Sequence, residues 1–148
     1  MTLINGIKKL IHPFKGSYYF SSDNPRAPEV NVLVHGLIRR GRCFVKLGRL
    51  LAANGYPTYV YDYDTTMHSI AEHGAALRRY LEKIAAENPE SKINIITHSM
   101  GGLLTRYALG NFSENYDEKA DESVLKRSRI KHVIMLGPPN KGSDIARF

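Results

Sequence analysis

Residues Ile93 to Leu109, INIITHSMGGLLTRYAL, decide the fold. The opening run, INIIT (93–97), is β-branched and mostly apolar, the composition of a buried strand. From Ser99 onward the period changes: Leu103, Leu104, Tyr107 and Ala108 recur at helical spacing until Gly110 stops them. A strand therefore turns directly into a helix at Thr97-His98-Ser99-Met100-Gly101. Such a turn is sharp and closes only where the flanking residues are small. Gly101 and Gly102 meet that need, while Thr97 stands where glycine is usual. A serine at the apex is lifted clear of its neighbours, as a hydroxyl must be before a base can activate it. The helix beginning there also sets the positive end of its dipole beside the serine, which favours a developing oxyanion.

Outward from this stretch, three more short apolar runs frame the chain. VNVLV (30–34) ends at His35-Gly36, TYVYDY (58–63) follows Asn54-Gly55 and Pro57, and IKHVIML (130–136) runs into Gly137-Pro138-Pro139. Helical spacing marks Phe44, Leu47, Leu50 and Leu51, and again Ile70, Leu77, Leu81 and Ile84. Strands alternating with helices predict α/β architecture: a mostly parallel sheet with flanking helices. Residues 111–129 are polar and charge-rich, which reads as a surface connection, with a substrate-gating lid as the weaker alternative. The expected organisation is a lead-in segment, 1–29, and a partial α/β domain, 30–148. The last strand, His132 to Leu136, is apolar on both faces and belongs inside a sheet. Only residues 137–148 follow it, so C-terminal strands are expected to be missing.

Composition removes several function classes. With 148 residues, 43% hydrophobic and 24% charged, the chain is sized and balanced for one ordinary globular domain. The single cysteine, Cys43, makes no internal disulfide and suits a reducing compartment. No apolar run reaches the ~20 residues that span a bilayer, and Lys8 and Lys9 break the N-terminal apolar stretch before it reads as a signal peptide. The expected location is cytoplasmic, peripheral to a membrane at most. Ile4, Ile7, Leu10, Ile11 and Phe14 share one helical face, which predicts an amphipathic helix packing on its own domain or making weak contact with a membrane surface. The net charge of +7 is dispersed and accompanied by no nucleic-acid-binding motif, so no nucleic-acid partner is expected. One basic cluster (Arg39, Arg40, Arg42, Lys46 and Arg49) follows the first core strand, either as a solvated face or as an attractor of anionic substrates and headgroups. His68 and His73 are five apart, not the i, i+4 spacing of a helical metal pair, and no glycine-rich phosphate loop occurs. No metal and no cofactor are expected.

A second motif completes the chemistry. At His35-Gly36-Leu37 a tight glycine turn ends the first core strand and can aim the Leu37 N–H at a bound carbonyl, with the Met100 N–H as second donor. HGLIRRG (35–41), THSMGGLLTRYAL (97–109) and LGPPNKGS (136–143), in this order, resemble bacterial α/β-hydrolase-fold serine esterases and lipases over residues 30–143. The resemblance implies carboxylic ester hydrolysis through an acyl-enzyme on Ser99, with Leu37 and Met100 forming the oxyanion hole. His35, Gly36, His98, Gly101 and Gly102 would brace the elbow and its facing loop, and Asn140 and Ser143 would shape a pocket wall. It also implies that the first and third strands are neighbours, so that Leu37 and Ser99 meet at a topological switch point. The substrate would be a small-molecule or lipid ester. In this family the triad acid and histidine follow the serine. After Ser99 the one histidine, His132, lies inside a strand, and Asp144 is a minor candidate for the acid. Acid and base are thus not identified, and the 148-residue chain alone is expected to be inactive. Rival readings are a non-catalytic truncated or degenerate fragment, and an acyltransferase or amidase on the same fold.

Overall fold

In a computed structural model of the chain, the described residues are 7–9, 16–24, 26–110 and 125–142. Six strands form one sheet: β1 (Ile7–Lys9), β2 (Tyr18–Phe20), β3 (Glu29–Val34), β4 (Thr58–Tyr61), β5 (Lys92–His98) and β6 (Ile130–Leu136). Their spatial order is β1-β2-β4-β3-β5-β6. The four strands expected from the apolar runs, β3 to β6, are all parallel, and β3 lies between β4 and β5. The α/β fold is as the sequence pattern predicts, and the neighbouring of the first and third core strands is as the family resemblance implies.

One element differs. Ile7–Lys9 is not helical but pairs antiparallel with Tyr18–Phe20, which in turn pairs antiparallel with β4. The free edge of β2 carries backbone donors and acceptors that another strand satisfies and a helix does not. Ile4, Leu10, Ile11 and Phe14 of the expected amphipathic face lie outside the described residues, as does most of the charge-rich connection, 111–124.

Among the described residues three α-helices cover the sheet: α1 (Val45–Ala53), α2 (Ile70–Glu87) and α3 (Met100–Leu109). Strand alternation divides the core into two layers. Val30, Val32 and Val34 of β3, with Ile93 and Ile95, pack beneath Leu77, Leu81, Ile84, Leu104 and Ala108 of α2 and α3. Leu33 and Val60 pack with Phe20, Phe44 and Ala52 on the α1 layer. The contact line of α1 runs through Phe44, Gly48 and Ala52, and a Cβ at Gly48 would lie 2.5 Å from the Phe20 ring. That close approach turns Leu50 outward, 60% exposed, although its spacing suggests the buried face.

Helix α2 is closed at both ends. Ser69 and Glu72 form a reciprocal capping box, with Ser69 Oγ accepting the Glu72 N–H at 3.2 Å and Glu72 accepting the Ser69 N–H at 2.9 Å. Beyond its C-terminus the Arg129 guanidinium donates to the carbonyls of Asn88 (2.6 Å) and Ser91 (2.7 Å), tying the approach to β6 onto the end of α2. At the far edge, Val133, Ile134 and Leu136 of β6 are 37–49% exposed, and among the described residues no strand lies beyond it.

Candidate functional site

Ser99 sits between β5 and α3 with φ 52° and ψ −124°, as the N-cap of the helix. A left-handed backbone costs a residue with a Cβ roughly 1–2 kcal/mol, so the surroundings must impose it. The Ser99 N–H donates to the Leu136 carbonyl at the end of β6 (2.9 Å), and the Gly102 N–H donates to the Ser99 carbonyl (3.0 Å). Glycines make room on every side. A Cβ at Gly36 would lie 2.7 Å from Ser99 Cβ, one at Gly101 would lie 2.6 Å from the Val34 carbonyl oxygen, and one at Gly102 would lie 2.9 Å from Pro138. Thus the turns after β3, β5 and β6 meet at one point. The Thr97 hydroxyl before the elbow donates to the Ile134 carbonyl of β6 (3.5 Å) and lies against Gly102, where a Cβ would come within 3.4 Å of it.

The two expected oxyanion donors border this point. Leu37 follows Gly36, which touches Ser99, and among the described residues its N–H has no backbone acceptor. Met100 opens α3, where the first N–H groups of a helix have no intrahelical partner. His98 is exposed and packs its ring nitrogen and carbonyl against Gly36.

His35 is fully buried beneath the β3 turn. Its Nδ1 faces the Gly36 carbonyl (3.0 Å), its carbonyl accepts the Tyr63 hydroxyl (2.7 Å), and the Tyr63 ring stacks on it at 4.3 Å. Its Nε2 lies 3.0 Å from Asp62 Oδ1, which also accepts the Gly41 N–H at 2.6 Å. Asp62 Oδ2 meets the Arg40 guanidinium at 3.2 Å. The loop from His35 to Gly41 is therefore held at both ends by one buried carboxylate. Burial pushes the Asp62 pKa up, but the His35 and Gly41 hydrogen bonds and the Arg40 charge outweigh it and hold the carboxyl below its ordinary value. Asp62 and Tyr63 are not among the residues the sequence points to, and Arg40 is named there only within the basic cluster, not as a partner of a buried carboxylate. The available signal was a carboxylate at the end of the run TYVYDY, at the same sheet level as His35.

Other sequence candidates fall elsewhere. His132 pairs in register with Asn94 and contacts its side-chain oxygen at 3.0 Å, four residues before the strand end at Leu136, about 13 Å along the strand. Asn140 accepts from Arg106 of α3 (3.0 Å), joining the turn after β6 to the helix behind the elbow. His68 and His73 lie beside each other at the start of α2, with ring centroids 5.5 Å apart. Among the described residues no group of three potential metal ligands forms, and no helix is long and apolar enough to cross a membrane. His12, Ser143 and Asp144 lie outside the described residues.

Comparison with known proteins agrees with this architecture. Over 75 residues the chain is 31% identical to triacylglycerol lipase 2 of Saccharomyces cerevisiae, a match covering 50% of this chain and 19% of that protein. A triacylglycerol lipase of Burkholderia plantarii is 28% identical over 75 residues, covering 51% of this chain and 17% of the relative. The match thus spans less than a fifth of either relative. Among solved structures, the mature lipase of Bacillus licheniformis superposes with a TM-score of 0.63 at 24% identity, over 88% of this chain and 50% of that one. Residues 32–148, which contain all three turns around Ser99, match the family described as alpha/beta hydrolase fold, and the chain belongs to that family.

Proposed function

We propose that the protein is a carboxylic ester hydrolase that works through an acyl-enzyme on Ser99. The observation that carries this reading is the strained Ser99 backbone, φ 52°, wedged between Gly36 and Gly101 at the junction of three strand ends. Strain of this kind, imposed by packing, is characteristic of sites that must present one side chain in one direction. Ser99 Oγ would attack the ester carbonyl, and the Leu37 and Met100 N–H groups would receive the oxyanion. A general base would take the hydroxyl proton and return it to the departing alcohol, after which water would release the acid. The lipase names of the relatives favour lipid esters as the substrate class.

The test is fluorophosphonate labelling of the protein expressed from its native reading frame. Labelling that disappears in Ser99→Ala supports the assignment, and labelling that persists in that variant overturns it. A second measurement addresses the base. Among the described histidines, His35 and His132 are engaged away from the serine hydroxyl. With no base identified for the Ser99 hydroxyl, the chain is expected to show no Ser99-dependent hydrolysis of p-nitrophenyl butyrate near the low end of enzyme rates, about 1 s⁻¹. Turnover at that rate would direct attention to His12, His68 or His73 as the base.

A further inference from the structure

The loop after β3 breaks two local rules at a single residue. Ile38 is the third residue of a turn closed by the Arg39 N–H on the Gly36 carbonyl (3.3 Å), and its φ is 54°. Turns with positive φ at that position take glycine or asparagine, and a β-branched side chain is strained there. Burial gives nothing in return, because Ile38 is 78% exposed. Local rules broken without internal compensation mark positions whose use lies outside the fold.

A second apolar side chain stands in the adjoining loop. Met67 is 69% exposed, and the Ile38 N–H donates to Thr65 Oγ1 at 3.1 Å, so the two loops form one rim. Arg39, Arg42 and Lys46, which follow Ile38 in the chain, are exposed, and among the described residues none of the three has a carboxylate partner. Two carboxylates lie nearby: Asp62 is taken up by Arg40, and Asp64, which accepts both the Thr66 N–H (3.2 Å) and its hydroxyl (3.0 Å), sets one negative charge against the three exposed cations. The rim therefore offers two apolar tips and, among the described residues, an excess of positive charge.

We propose that this rim docks the protein on an anionic lipid–water interface. Ile38 and Met67 enter between headgroups while Arg39, Arg42 and Lys46 meet lipid phosphates, an arrangement of apolar insertion plus surface charge. The inference rests on the reading of Ser99 as a lipid-ester nucleophile, since Gly36, two residues before Ile38, touches Ser99. Docking by this rim would bring the elbow to the surface where such esters lie.

The test is sedimentation of the full chain with phosphatidylcholine vesicles, with and without phosphatidylglycerol. Binding is expected to favour the anionic vesicles at least about tenfold, each basic residue contributing roughly fivefold. Ile38→Asn should melt no lower than the parent chain, because asparagine tolerates positive φ, yet bind about tenfold more weakly. Arg39→Glu with Arg42→Glu should lose about a hundredfold. Lys83→Glu with Arg127→Glu, which removes the same charge from α2 and the approach to β6, should stay within about twofold. Equal losses in the two charge pairs would overturn the proposal, and so would full binding by Ile38→Asn. Duplex DNA bound more tightly than anionic vesicles at the same salt would also overturn it, assigning the cations to nucleic acid. Ser99→Ala should bind vesicles normally, so failure of docking and failure of the nucleophile assignment are read in separate assays.

Discussion

Ser99 and Ile38 carry nearly the same backbone angle, φ 52° and 54°, and are the non-glycine residues with positive φ among those described. Their surroundings are opposite. Ser99 is enclosed by Gly36, Gly101 and the Leu136 carbonyl, contributed by three different strand ends. Ile38 is held by two hydrogen bonds, its own N–H on Thr65 and the turn bond from Arg39, and projects into solvent. One strain is over-determined by packing; the other is local. Removing strain should therefore help at the exposed loop, whereas any added atom at the elbow should do harm.

The largest effect is expected at Gly101. A Cβ there would lie 2.6 Å from the Val34 carbonyl oxygen and 2.7 Å from that of His35, both central backbone atoms that cannot step aside. Gly101→Val should cost about 3 kcal/mol or more in urea unfolding. An unchanged midpoint would mean that the elbow is not enclosed and would remove the contrast with Ile38.

Asp62→Asn should come next, at about 2–3 kcal/mol at pH 7, because a buried, multiply bonded carboxylate is lost. The sign of its pH dependence follows from the depressed pKa. A carboxyl held low in the folded state stabilises above its unfolded pKa, near 3.9, and that stability is lost as pH falls through the folded value. The parent chain should therefore lose this contribution below about pH 4, while the Asn variant should show no such loss. Parallel pH–stability curves for the two proteins would contradict the role given to Asp62.

The smallest effect has the opposite sign. Ile38→Asn should raise stability by about 0.5–1 kcal/mol, since asparagine accepts the left-handed region that isoleucine resists. Thermal unfolding at neutral pH measures it, and a destabilised variant would show that Ile38 is held by more than its two hydrogen bonds.

The four parallel strands were legible because each is a short apolar run bounded by turn residues, a pattern that depends little on neighbours. The short strands β1 and β2 were not. Ile7–Lys9 pairs with Tyr18–Phe20 only because β4 offers an outer edge, and three residues carry too little periodicity to reveal that. The meeting of the Leu37 turn with Ser99 followed from the family resemblance, but the approach of Pro138 and the carboxylate beneath the His35–Gly41 loop did not. In TYVYDY, Asp62 resembles one polar member of an alternating strand, whereas the strand ends at Tyr61 and leaves Asp62 under the loop. The direction of Leu50 depended on Gly48 approaching Phe20, a contact between residues far apart in sequence.

The bond from the Ser99 N–H to the Leu136 carbonyl sets an order of events for the growing chain. Contacts between distant residues must meet a loop-closure cost before they form. β5 can align beside β3 once residues 92–98 emerge, but the partner that fixes the Ser99 backbone arrives only with the end of β6. Until then the elbow lacks one of its walls, and its strained angle has less to hold it. The complete set of bonds that holds the Ser99 backbone therefore requires the docking of the last described strand, and not only the helix that Ser99 itself begins.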